Sequence, residues 1–158
     1  MEALVRISSE LDELLEAGLD PADESEALAL VNQLETIGRK VAAAQVEALD
    51  VIDRRGLHRA DGHFSAKVMV RHVAKLSAPE AAARARVAKA LRDLPAVRDA
   101  YRRGEVGTCQ VRRLARAHAN TRVRDRIAGL RGPVHREGGP AELQSLRPSR
   151  HRLGTAGR

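Results

Sequence analysis

The residues best suited to do chemistry in this chain are the basic ones gathered in segment 65–89. Ser77-Ala-Pro-Glu80 reads as a capping box with proline inside the first helical turn: a Ser hydroxyl and a Glu carboxylate three residues apart can satisfy two backbone donors reciprocally. Beyond that start lie Arg84, Arg86 and Lys89, and just before it Arg71, His72 and Lys75. A short helix, a tight link and a longer capped helix with a basic face is the layout of a helix-turn-helix. In that motif the second helix meets a major groove and its flanking cations meet phosphates. The expected DNA contacts are therefore Arg71, Lys75, Arg84, Arg86 and Lys89, with Ser77 and Glu80 as helix caps. Two features weigh the other way. The turn commonly carries glycine where this chain has Lys75, and a capping box marks a helix start rather than a function. The competing reading is an αα-corner inside a bundle, with solvated arginines.

Other chemistry finds little support. The six histidines (His58, His63, His72, His118, His135 and His151) form no helical ligand pair with a carboxylate between them. His58 and His63 flank Asp61 in a loop, where they read as surface side chains or, less readily, as a weak metal site. Cys109 follows Thr108, read as a helix cap, and without a positioned base it reads as a buried or half-exposed small residue. A single cysteine allows neither an internal disulfide nor a multi-cysteine zinc site. With no phosphate-cradling glycine loop and no serine elbow, the expectation is no catalytic residue, no metal and no cofactor.

Charge is unevenly spread. Residues 1–53 carry 13 Asp/Glu against three Lys/Arg, and residues 54–158 carry 25 Lys/Arg against eight Asp/Glu. Such asymmetry suits a polyanion partner for the basic part, or an acidic–basic contact within or between chains. Arginine outnumbers lysine 24 to 4, so part of the excess reflects a coding bias. The expected partners are DNA, or else a second copy or another helical protein. No apolar run is long enough to span a bilayer and the first 20 residues lack a signal-peptide core, so a cytoplasmic location is expected.

These residues must be positioned by helices. Phe64 and Tyr101 are the only aromatics, so a core of Ala, Val and Leu buries little area per side chain. Marginal stability follows, or a core completed by a partner. The first helix should cover about 2–17, with Leu4, Ile7, Leu11, Leu14 and Leu15 on one stripe and Gly18 ending it. Asp20 and Pro21 announce a second helix of about thirty residues, with Leu28, Val31, Leu34, Ile37, Val41, Ala44, Ala48 and Ile52 as its apolar stripe. That stripe is expected to pack on the first helix and the later ones rather than form a dimer zipper. A loop over 54–63 leads to a short helix at about 66–73 capped by Ser65. The Ser77 helix then reaches about Arg92, Pro95 opens another that stops at Gly104, and Thr108 caps one with Val111, Leu114 and Ala115 inward. A weaker pattern runs Val123–Ile127–Leu130. The fold class is all-α, an irregular bundle of about six helices spanning 1–128, followed by a Gly/Pro/Arg-rich tail at 129–158 expected to be disordered.

Several runs occur in a distinctive order: Asp61-Gly-His-Phe-Ser65, Lys75-Leu-Ser-Ala-Pro-Glu-Ala81, Arg86-Val-Ala-Lys-Ala-Leu-Arg-Asp-Leu-Pro-Ala96, Gly104-Glu-Val, and Leu114-Ala-Arg-Ala-His-Ala-Asn120. This order resembles the 13E12 repeat family, whose N-terminal module is called domain of unknown function 222. The resemblance covers about residues 1–128 and is most specific over 61–120. It implies a DNA-associating helical module of the kind followed in full-length members by an HNH endonuclease domain. No nuclease motif can be matched here, so it also implies a shortened, non-enzymatic copy whose tail derives from a shifted reading frame. His118-Ala-Asn120 reads as a helix end.

Overall fold

The computed structural model describes residues 1–120, which form six α-helices and no strand; the pattern at Val123–Leu130 and the tail at 129–158 lie outside the described residues. The helices are α1 (Glu2–Ala17), α2 (Glu24–Arg55), α3 (Ala66–Val73), α4 (Ala78–Asp93), α5 (Pro95–Arg102) and α6 (Thr108–Ala119), with one 3₁₀ turn at Leu57–Arg59.

Local signals account for most boundaries. Ser65 and Ser77 sit in extended conformation, each with its hydroxyl accepting from the backbone N–H three residues on, which satisfies an orphan donor of α3 and of α4. Pro95 occupies the first position of α5. The start of α2 differs from expectation. Asp23, not Asp20, is the cap: its Oδ1 accepts from Glu26 N at 2.8 Å while Glu26 Oε2 accepts from Ala22 N at 2.8 Å. This reciprocal pair satisfies two donors and prevails over the Pro21 start. Similarly, Thr108 is the first helical residue of α6 rather than its cap, and Gln110 Oε1 takes up Gly107 N at 2.9 Å.

The centre of the bundle is α4, which packs on α2, α3, α5 and α6. Its core joins Ala43, Val46 and Leu49 of α2, Val87, Ala88, Ala90 and Leu91 of α4, Ala66, Tyr101, Val111 and Ala115. Tyr101 is the largest fully buried side chain, and its hydroxyl lies 3.2 Å from Thr108 Oγ1. Val111 and Ala115 face inward as expected, whereas Leu114 is exposed.

The expected stripe of α2 is corrected. Leu28, Val31, Ile37 and Val41 are exposed, as are Ala44 and Ala48, and the core face runs through Ala43, Val46 and Leu49. A step of three residues falls about 60° short of a full turn, so Leu28–Val31–Leu34–Ile37 winds halfway round the helix instead of marking one face. Nor does the first helix cover it. α1 packs closely on no other described helix, and Leu4, Ile7 and Leu15 of its own stripe stay exposed.

Candidate nucleic-acid interface

The link between α3 and α4 is tight because Lys75 adopts the left-handed conformation, φ 50°, the only described non-glycine residue to do so. That is the position where a helix-turn-helix usually carries glycine, and an L-residue there costs roughly 1–2 kcal/mol. The reversal is closed by Leu76 N donating to Arg71 O at 2.9 Å.

The expected contact residues separate into two groups. Arg86 and Lys89 are exposed on α4 and stand about 60° apart around its axis, on the side away from the core. Arg71 and Lys75 are exposed on α3 and in the turn. None of these four takes part in an ion pair among the described residues. Arg84 points elsewhere, about 160° from Arg86. Its Nε donates to Glu80 Oε1 at 3.0 Å, and Arg112 of α6 donates to the same oxygen. Hydrogen bonding from Arg84, opposed by burial and reinforced by Arg112, holds the Glu80 carboxyl below its ordinary range. Glu80 therefore closes no capping box: its carboxylate clamps α4 to α6, and Ser77 caps alone.

A crevice of about 290 Å³ between α3 and α4 gathers Ser65, Lys67, Lys89 and Arg92. Lys67 was not among the expected contacts. Its signal in the sequence was its spacing of four residues from Arg71, which puts both on one edge of α3. Arg92 closes the crevice but is committed, donating to Asp50 and, at 2.8 Å, to Asp53 of α2. Burial would raise the Asp50 carboxyl, but hydrogen bonds from Arg92 and Arg54 outweigh it and hold the group below its usual range.

The histidines are not all surface side chains. His58 and His118 are buried, and His118 Nε2 lies 3.3 Å from Asp93 Oδ2. His63 Nε2 and His72 Nδ1 are 3.3 Å apart, a geometry that joins one donor tautomer to one acceptor. Among the described residues no group of three or more His, Cys, Asp or Glu side chains could hold a metal ion. Cys109, expected buried or half-exposed, is exposed on the first turn of α6.

Fold and surface thus define an all-helical module with exposed cations on α3, on α4 and in the turn between them. Residues 28–129 match the model of the domain of unknown function family DUF222, and the chain belongs to that family. No curated protein and no solved structure matches it. None of the described helices is long and apolar enough to cross a membrane.

Proposed function

We propose that this module associates with DNA through phosphate contacts made by Lys67, Arg71, Lys75, Arg86 and Lys89. The observation that supports it is their shared state: all five are exposed, lie on α3, on α4 or in the turn between them, and are in no ion pair among the described residues. Cations already neutralised by carboxylates, such as Arg84 and Arg92, gain little from a phosphate. Uncommitted cations release counterions when they meet one. The binding is expected to be weakly sequence-selective. α4 is enclosed by four helices, and its first two turns offer Ala, Pro and the engaged Glu80 and Arg84 in place of base-reading side chains.

The test is binding of a short duplex by the full chain at several salt concentrations. Replacing Lys67, Arg71, Arg86 and Lys89 by glutamine should flatten the slope of log K against log salt by roughly three to four, at about 0.9 per phosphate lost. An unchanged slope would place the contacts elsewhere in the chain and defeat the proposal, as would absence of binding at low salt.

A further inference from the structure

Leu28 and Val46 are separated by five full turns of α2 and so share one face, as do Val31 and Leu49. At the bundle end that face is core: Val46 is 5% and Leu49 2% exposed. At the other end it is bare, with Leu28 65% and Val31 59% exposed. The core stripe of α2 therefore continues past the bundle with nothing described lying on it. α1 lies to the other side, where a groove lined by Leu14, Leu19, Leu30 and Gln33 separates it from α2. This projecting arm, residues 1–35, carries ten acidic side chains against one basic one, and on α2 Glu24 and Glu35 fall within about 40° of Leu28 around the axis.

A second apolar surface has the opposite sign. Around the 3₁₀ turn and α3, Leu57, Phe64, Val68 and Val73 are exposed, Phe64 almost wholly so at 99%. Residues 54–77 hold six Lys/Arg and one acid, Asp61. Apolar-plus-acidic and apolar-plus-basic surfaces are complementary partners. They cannot meet within one chain. Asp53 lies beside the N-terminus of α3, lining the same crevice as Ser65 and Ala66, and α2 is one unbroken helix. Leu28 is therefore roughly 37 Å from that end at 1.5 Å per residue.

We infer that the arm docks on the α3 surface of a second copy of this chain, reciprocally, in a two-fold dimer. Two-fold symmetry forms both contacts at once and closes the assembly. It also covers the bare end of a core that is small on its own. Lys67, Arg71 and Lys75 serve both readings, so the arm and a phosphate backbone would compete for them, and the inference is tested without DNA.

Sedimentation equilibrium of the full chain should show a dimer at low salt that weakens as salt rises. Leu28→Gln with Val31→Gln should raise the dissociation constant about tenfold or more, and so should Phe64→Ser with Val73→Gln, each by at least about 1.4 kcal/mol. All four side chains are exposed, and unchanged helicity checks the fold. Mixing the two variants should restore part of the dimer, because one of the two contacts in the mixed species joins intact surfaces. A chain monomeric at every concentration overturns the inference. A dimer indifferent to the Phe64 and Val73 substitutions also overturns it, since the arms would then be pairing with each other.

Discussion

The carbonyl of Gly104 accepts a hydrogen bond from Arg39 Nε at 2.7 Å, fastening the α5–α6 turn to α2 across 65 residues of sequence. The approach is close because position 104 has no side chain. A Cβ built there would lie 3.0 Å from both Thr36 Cγ2 and Thr36 O, and the backbone is left-handed at φ 76°.

Gly104→Ala combines that strain with a backbone clash and should cost about 2 kcal/mol or more. Gly38→Ala is the control. Gly38 is inside α2 with nothing within 4 Å of its would-be Cβ, so this change should stabilise by about 0.5–1 kcal/mol. Urea midpoints of the two variants moving in opposite directions is the expected result.

Acid should weaken the bundle through Asp50 and Glu80. Both carboxyls are held below their ordinary values when folded. Their contribution is therefore fully present above the unfolded carboxylate pKa of about 4 and is lost as pH falls through the folded values. Asp50→Asn with Glu80→Gln should lower the melting temperature at neutral pH and make it less sensitive to pH below about 4. Melting curves across that range check it; an unaltered acid limb would show that other carboxylates govern it.

Tyr101 is the one large aromatic in a core of small residues. Tyr101→Ala should cost about 3–5 kcal/mol, because the α2, α4 and α6 side chains around it are too short to refill the space. Tyr101→Phe keeps the ring and loses only the contact with Thr108, at about 1 kcal/mol. Denaturant titration separates the two.

Lys75→Gly relieves the left-handed strain in the α3–α4 link, partly offset by the greater freedom glycine gives the unfolded chain. The expected gain is about 0.5–1 kcal/mol. A loss of stability would mean that the Lys75 side chain contributes more than its backbone costs.

The sequence by itself determined the helices and most of their ends. Ser65, Ser77 and Pro95 act on backbone groups within three or four residues, so their effect is legible without neighbours. Even where reading and structure differ, at Asp23 and Gly107, the error is a few residues, because two local signals competed. Arg71, Lys75, Arg86 and Lys89 were legible as exposed cations for the same reason: each follows from its place on a helix or turn.

Tertiary structure alone decided what each helix faces. Glu80 sits where a capping box would use it, yet Arg112, 32 residues away, holds its carboxylate toward α6. Val46 and Leu28 are equivalent in type and azimuth, yet one is core and the other bare, because α4 covers α2 only from its middle onward. The burial of His58, His118 and Tyr101 was equally invisible. Caps and turns are set by hydrogen bonds between near neighbours. Burial and charge pairing are set by which distant surfaces the chain brings together, and periodicity within a single helix carries no record of them.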